Sequence, residues 1–188
     1  VWHHVARRYF GRLVVNVGRD VGTDLNALCA VIEKDSSYGA MHRFLHGVNA
    51  KPCIRILDSE KNLLEVDGIP LTILNQARNP KDIAWREHGV RIVVDTTGAF
   101  CDPTLPIDHA RGALRGHLAA GAEKVINSAA FKIKDKALAT PDDAITLIYG
   151  INEQAFNLTG HNLISAASCT TTALAHMVKP ILDELHVS

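Results

Sequence analysis

Short runs of β-branched and aliphatic residues alternate with helical patterns along most of this chain. Two parallel strands need a crossover of a dozen or more residues between them, and that crossover is usually a helix. The alternation therefore predicts an α/β fold built on a doubly wound, mostly parallel sheet. The predicted strands cover residues 13–17, 91–95, 124–127, 144–149 and 162–165, and the predicted helices cover 1–9, 24–34, 82–87, 107–120 and 168–185.

The stretch between Cys53 and Leu74 follows a different pattern. It contains short strand-like runs separated by turn-forming residues. The pair Asp67-Gly68 is a strong hairpin signal, because both residues tolerate the positive φ that a tight two-residue turn requires. We therefore expect a small antiparallel insertion in the otherwise alternating chain.

Composition and charge exclude several classes of function. A chain of 188 residues is long enough for one main domain plus part of another. Lysine and arginine total 20, and so do aspartate and glutamate, so nothing favours binding to nucleic acid or to an anionic membrane surface. No apolar run approaches the roughly 20 residues of a membrane span, and no signal-peptide pattern opens the chain. The sequence thus predicts a cytoplasmic protein that does not bind membranes.

The cysteines and histidines give no metal-binding or disulfide pattern. The four cysteines are far apart and form no Cys-x-x-Cys pair, which favours reduced thiols. Cys29 lies on the apolar stripe of a predicted helix and is expected in the core, whereas Cys53 and Cys101 are expected to be inert. His42 and His46 have the spacing of metal ligands, but without a third ligand we predict no metal site.

Polar and small residues follow the predicted parallel strands, and ligands of such sheets bind beyond the carboxyl ends of the strands. Thr96, Thr97 and Gly98 come directly after the strand at 91–95, and Ser128 follows the strand at 124–127. This pattern suits a backbone that approaches a cofactor closely, although an ordinary capped turn has the same composition.

Cys169 follows the last predicted strand and opens the last predicted helix. If Ser168 caps that helix, the thiol lies in the first turn, where unpaired amides and the positive end of the helix dipole favour a thiolate. Such a thiolate can attack a carbonyl carbon, with the Cys169 amide as a donor to the developing oxyanion. An unreactive thiol in a strand-to-helix turn is the alternative interpretation.

Several segments resemble one enzyme family in order and spacing. The stretch Ser165-Ala166-Ala167-Ser168-Cys169-Thr170-Thr171 is similar to the S-N-A-S-C-T-T signature of glyceraldehyde-3-phosphate dehydrogenases. The resemblance extends over nearly the whole chain. Its other segments are Lys34 to Gly39, Arg78-Asn79-Pro80 with Trp85, Val93 to Phe100, His117 to Ile126, and Tyr149 to Asn152.

The resemblance implies a Rossmann-type NAD(P)-binding domain over residues 1–167 and the start of a catalytic domain over 168–188. It implies that Cys169 attacks the aldehyde of glyceraldehyde 3-phosphate, that hydride passes to a nicotinamide, and that inorganic phosphate releases the resulting thioester as 1,3-bisphosphoglycerate. A homotetramer is implied for the full-length protein.

The resemblance also implies roles for individual residues. Ser168 and Thr170 match positions that hold the attacking phosphate, and a helix N-terminus suits an anion on independent grounds. The positions that match the cofactor site are Arg78, Thr96, Thr97, Gly98, Phe100 and Ser128. NAD is the expected cofactor, with NADP as the alternative.

Parts of the family pattern fall outside the chain or differ within it. The Gly-rich phosphate-binding turn is expected before Val1 and the histidine general base after Ser188, so we expect the 188 residues alone to have no useful turnover. The acidic residue that usually holds the adenosine ribose is not identifiable among Asn16, Arg19 and Asp20, and Arg19 would suit a 2′-phosphate. Further departures are Ala166, Thr172 and His176, where the family usually has Asn, Asn and Pro.

Three other functions are compatible with the same residues. Erythrose-4-phosphate dehydrogenases share the cysteine signature. A thiol acyltransferase or hydrolase would use Cys169 without a nucleotide. A catalytically silent domain would bind a nucleotide or a partner and would not depend on Cys169.

Overall fold

A computed structural model of the chain describes residues 12–18, 24–35, 37, 39–166 and 168–185. The helix predicted over 1–9 lies outside these residues. The chain forms two compact units, which divide after Arg78. Each unit combines strands and helices, which confirms the predicted α/β class. The predicted boundary between a cofactor domain ending at residue 167 and a second domain stays a prediction.

The first unit contains a four-stranded mixed sheet. β1 (Leu13–Asn16) pairs in parallel with β6 (Ile69–Leu74), which pairs in turn with β5 (Leu63–Val66), and β4 (Ile54–Asp58) forms the far edge. The pairs β4/β5 and β5/β6 are antiparallel. Asp67 and Gly68 both have positive φ in the β5–β6 turn, as the hairpin signal requires. The predicted antiparallel insertion is therefore confirmed.

Helix α1 (Leu25–Glu33) covers the core of this unit. It begins where Asp24 accepts a hydrogen bond from the Ala27 amide at 3.0 Å. Its residues Leu25 and Leu28 are buried together with Leu64 and Leu71 of the sheet. The described residues of the unit also form the short strands β2 (Lys34–Asp35) and β3 (Gly39–Ala40) and helix α2 (Met41–His46).

The second unit contains a parallel sheet in the order β7, β8, β10, β9. Its strands are β7 (Ile92–Asp95), β8 (Lys124–Asn127), β9 (Ala144–Thr146) and β10 (Leu163–Ser165). Leu114, Val125 and Leu163 are fully buried and form the centre of its core with Ala144. The helices are α3 (Gly116–Ala119) and α4 (Cys169–Leu185). None of the helices in the described part of the chain is both long and apolar enough to cross a membrane.

Two predicted helices are largely wrong. The helix expected over 107–120 is reduced to α3, because Gly112 adopts a left-handed φ of 85° and packs against other parts of the chain. A Cβ atom there would lie 2.8 Å from both Phe100 and Pro80, so no larger residue fits. The helix expected over 82–87 is a 3₁₀ turn, Pro80–Asp82, followed by irregular turns.

Side chains satisfy backbone groups where these elements are irregular. Arg115 donates to the Pro103 carbonyl at 2.9 Å and forms two hydrogen bonds with Asp143, at 2.7 and 2.6 Å. The strand expected over 144–149 stops at Thr146, because the Asn152 amide group takes over its hydrogen bonds. Asn152 donates to the Thr146 carbonyl at 2.9 Å and accepts from the Ile148 amide at 2.8 Å.

Replacing Leu114 by Ala should destabilise the protein by about 2–5 kcal/mol, because it leaves a cavity in a fully buried site. Urea denaturation followed by circular dichroism measures this loss. Leu138→Ala is the matched control, because Leu138 is half exposed and its truncation should change the free energy of unfolding by less than about 0.5 kcal/mol. Equal losses in the two variants would contradict the described core.

Candidate active site

Three buried polar residues lie side by side at the carboxyl edge of the parallel sheet. The strand register pairs Asp95 of β7 with Asn127 of β8, and Asn127 with Ser165 of β10. All three are buried. The segments that leave the strands stay together, because the Ser128 amide donates to the Asp95 carbonyl at 2.9 Å and the Ala166 amide donates to the Asn127 carbonyl at 3.0 Å. The structure thus brings Thr96, Ser128 and Ala166 to one edge.

The loop after β7 is held by the Asp95 carboxylate. Asp95 Oδ1 accepts hydrogen bonds from the Thr97 amide at 2.8 Å and from the Thr97 hydroxyl at 2.6 Å. Burial alone would raise the pKa of Asp95, but hydrogen bonds from His117 and Thr97 outweigh it and hold the pKa below its ordinary value. Asp95 is therefore an ionised, acceptor-only group at neutral pH.

The predicted cofactor residues of this loop are accessible. Thr96, Thr97 and Gly98 are exposed, and Phe100 is half buried. Gly98 has a φ of 66°, and a Cβ atom built on it would meet no atom within 4 Å. The open space over Gly98 leaves room for a flat group to lie against the backbone.

Asn127 adds an unused hydrogen-bond donor at the same edge. Its Oδ1 atom accepts from the Ala129 amide at 3.3 Å, whereas its buried Nδ2 atom has no partner in the described part of the chain. Ser165 donates to the Ala129 carbonyl at 3.0 Å and fixes the same segment. A buried orphan donor costs free energy unless an acceptor reaches it. Asn127 Nδ2 is thus an unsatisfied buried donor at the sheet edge, directly before the exposed Ser128.

Cys169 is the first residue of α4 and its side chain is exposed. Ser168 caps the helix as expected: its hydroxyl accepts from the Thr171 amide at 3.3 Å and donates to the Thr171 hydroxyl at 2.7 Å. A backbone hydrogen bond of 2.8 Å joins the Thr172 amide to the Ser168 carbonyl. By helix geometry the amides of Cys169 and Thr170 lack intrahelical acceptors, so the first turn offers donors to an anion or an oxyanion.

His176 connects α4 to the segment after β9. Its Nδ1 lies 2.9 Å from the Thr172 carbonyl oxygen, and its Nε2 lies 3.0 Å from the Tyr149 carbonyl oxygen. Carbonyl oxygens only accept, so both contacts are hydrogen bonds at once only when both ring nitrogens carry protons. The residue that departs from the family's usual Pro therefore helps to place the helix that begins at Cys169.

Arg78, the remaining predicted cofactor residue, belongs to the first unit. Its Nη1 donates to the Val17 carbonyl at 2.8 Å and to the Asn75 carbonyl at 3.2 Å, which holds the guanidinium against the end of β1. Asn16 donates to the Ala77 carbonyl at 3.1 Å, and its buried Oδ1 has no partner among the described residues. Arg78 is thus a cation at a strand end where an acidic residue would bind a ribose. Arg19 and Asp20 lie outside the described residues.

The other thiols differ from Cys169 in their surroundings. Burial raises the pKa of Cys29, which packs against the core of the first unit. Burial also raises the pKa of Cys53, with smaller contributions from Glu33 and Asp67. Cys101 is buried and its Sγ donates to the Gly98 carbonyl at 3.2 Å. Raised pKa values and burial both disfavour a reactive thiolate.

The histidines at metal-ligand spacing are paired with carboxylates instead. His42 Nδ1 contacts Glu33 Oε1, and His46 Nε2 lies 2.9 Å from Asp67 Oδ1. In the described ranges, no group of three or more histidine, cysteine or acidic side chains has an arrangement that could hold a metal ion.

Comparison with known proteins identifies the family. No protein-family model matches the chain. The chain is 39% identical over 140 residues to glyceraldehyde-3-phosphate dehydrogenase 2 of Bacillus subtilis. The aligned residues make up 74% of this chain and 34% of that protein. The chain is 34% identical over 168 residues to the Priestia megaterium enzyme of the same name, covering 86% and 39% of the two chains. The chain belongs to the glyceraldehyde-3-phosphate dehydrogenase family.

A third bacterial relative is similar over a comparable length. The glyceraldehyde-3-phosphate dehydrogenase of Geobacillus stearothermophilus is 34% identical over 165 residues, which cover 88% of this chain and 40% of that protein. The chain spans about a third to two fifths of the length of the curated relatives it matches.

Three buried residues near the site have no role in the sequence-based prediction. Asp95, His117 and Trp85 fall within the segments that resemble the family, yet they had no individual assignment. They are hydrogen-bonded to one another beneath the loop after β7. In the sequence, Asp95 is an acidic residue at the end of a buried strand, and Trp85 and His117 stand in otherwise apolar patterns. None of these patterns predicts which residue each side chain contacts.

Brief alkylation with iodoacetamide should modify Cys169 at least about tenfold faster than the other three cysteines, because it is exposed while burial lowers the thiolate fraction of Cys29 and Cys53. Peptide mapping by mass spectrometry measures the four rates. Labelling in denaturing urea is the control, in which the four rates should converge. Native labelling of Cys29 or Cys53 as fast as that of Cys169 would contradict the described site.

Proposed function

We propose that this chain carries the nucleophile and part of the cofactor site of a phosphorylating aldehyde dehydrogenase that oxidises glyceraldehyde 3-phosphate to 1,3-bisphosphoglycerate. The observation that carries the proposal is the exposed Cys169 thiol at the capped N-terminus of α4, the helix that follows the parallel strand β10 in the chain. The names of the matched relatives support the same activity.

Cys169 forms the covalent intermediate in this proposal. Its thiolate attacks the aldehyde carbon, a C–S bond forms, and the carbonyl oxygen becomes an oxyanion that takes up a proton to give a thiohemiacetal. The free amides of the first turn of α4 are donors to that oxyanion, and such donors contribute a large part of catalysis at acyl centres. Loss of hydride from the same carbon, together with loss of the hydroxyl proton, leaves a thioester on Cys169.

Ser168, Thr170 and the N-terminus of α4 hold inorganic phosphate in the second half of the reaction. Ser168 is half buried and Thr170 is exposed. Hydroxyl groups beside unpaired helix amides form a favourable site for an anion. A phosphate oxygen there attacks the thioester carbon, the C–S bond breaks, and the acyl phosphate leaves while the thiolate is restored.

The cofactor residues are Thr96, Thr97, Gly98, Phe100 and Ser128 at the carboxyl edge of the sheet, with Arg78 at the end of β1. A bound oxidised nicotinamide would accept the hydride. The exposed loop and the open space over Gly98 support a flat group at this position.

NAD is the proposed cofactor, with NADP as a second candidate that one observation favours. The charged side chain held against the end of β1 is the Arg78 guanidinium, and residues 12–18 include no carboxylate. A carboxylate at this strand end binds the 2′-hydroxyl of NAD, whereas an arginine accommodates the 2′-phosphate of NADP. A homotetrameric assembly and a cytoplasmic location are further proposals from the family relationship.

Replacing Cys169 by Ser should lower kcat on the order of 10⁴-fold, because it removes the nucleophile. The assay follows reduced-nicotinamide absorbance with glyceraldehyde 3-phosphate and inorganic phosphate, in the protein that carries this chain. Cys53→Ser is the control and should keep activity near that of the wild type, since Cys53 is half buried and burial raises its pKa, which disfavours a reactive thiolate.

Parallel runs with NAD and NADP rank the two cofactors by kcat/KM, and erythrose 4-phosphate in place of the substrate tests the closest alternative activity. Full activity of Cys169→Ser would contradict the proposal. Thioester hydrolysis by the wild type without a nucleotide would favour a hydrolase.

A further inference from the structure

A chain of hydrogen bonds runs beneath the loop after β7. The Trp85 indole Nε1 donates to His117 Nδ1 at 3.0 Å, and His117 Nε2 lies 3.3 Å from Asp95 Oδ2. The other carboxylate oxygen, Oδ1, takes both hydrogen bonds from Thr97. Trp85, His117 and Asp95 are each about 95% buried, so water competes little for these bonds.

The partners leave His117 one compatible protonation state. An indole N–H can only donate, so Nδ1 of His117 must accept and carry no proton. The ring proton therefore lies on Nε2, where it is donated to the carboxylate of Asp95. A proton on Nδ1 would face the indole N–H, donor against donor.

The loop geometry depends on this chain. Thr97 is tied to Asp95 through its amide and its hydroxyl, and the same hydroxyl accepts from the Ala99 amide at 3.2 Å. These bonds surround Gly98 in its left-handed conformation. Phe100 packs edge-on against the His117 ring, with centroids 6.4 Å apart. One buried imidazole thus supports both ends of the loop.

We propose that His117 and Asp95, held by the Trp85 indole, are positioning residues that fix the loop of Thr96, Thr97 and Gly98 in the shape that binds the nicotinamide cofactor. This inference rests on the proposed function. Neither residue is assigned contact with the cofactor. They act through Thr97. Without them the backbone at Thr97 would sample several conformations, and the free-energy cost of ordering it would lower the affinity for the cofactor.

Three variants in the protein that carries this chain test the inference. His117→Phe fills the ring volume but neither accepts from Trp85 nor donates to Asp95. His117→Gln offers an amide that can do both. Asp95→Asn keeps the size of the side chain but replaces one acceptor oxygen by a donor. The matched control is His88→Phe, a half-buried histidine of the same unit outside this chain of hydrogen bonds.

Isothermal titration with NAD, and with NADP, measures the affinity of each variant. His117→Phe and Asp95→Asn should raise the Kd of the preferred cofactor about tenfold, the effect of losing one buried hydrogen bond. His117→Gln should recover most of the wild-type affinity, and His88→Phe should leave it unchanged. Hydrogen exchange at the amides of Thr97 and Ala99 should accelerate in the two weak binders alone.

Nitrogen NMR of the wild type gives an independent readout. A one-bond N–H coupling at Nε2 of His117, with none at Nδ1, is expected, and the opposite assignment would overturn the inference. Variants that all bind the cofactor as the wild type does would overturn the inference while leaving the proposed function intact. A wild type that binds neither NAD nor NADP would overturn the proposed function itself. If His117→Phe does not fold, Asp95→Asn and His117→Gln still decide the outcome.

Discussion

The register of the parallel strands β7, β8 and β10 is the constraint on which the candidate site depends. Parallel pairing places Asp95, Asn127 and Ser165 in one row at the carboxyl edge, and all three are buried. A slip of one residue would turn each side chain to the opposite face of the sheet. The loop after β7, Ser128 after β8 and Ala166 after β10 would then no longer leave the sheet side by side.

The buried carboxylate of Asp95 is tolerated in this row because each of its two oxygen atoms accepts a hydrogen bond. His117 and Thr97 supply the hydrogen bonds of Asp95, and they hold its pKa down against the effect of burial. Asn127 is different, since its buried Nδ2 lacks a partner among the described residues. The edge therefore combines a satisfied anion that fixes the loop with a buried donor that is unsatisfied.

Local patterns predicted much of this architecture, and long-range contacts account for what they missed. The strands β7 and β8 were predictable from runs of β-branched residues, and the first-turn position of Cys169 from Ser168 and the helical pattern that follows. The helix expected over 107–120 was wrong, because Gly112 packs against Phe100 and Pro80, which periodicity does not record. The pairing of Trp85 with His117 spans 32 residues, so no local signal names it.

Mass spectrometry of the covalent intermediate shows directly whether Cys169 is the nucleophile. The protein that carries this chain is mixed with glyceraldehyde 3-phosphate and oxidised cofactor in phosphate-free buffer, quenched and digested. A 3-phosphoglyceryl thioester is expected on the peptide containing Cys169, and it should disappear when inorganic phosphate is added before the quench. Turnover of the aldehyde with an unmodified Cys169, or with the acyl group on Cys29, Cys53 or Cys101, would contradict a nucleophilic role for Cys169.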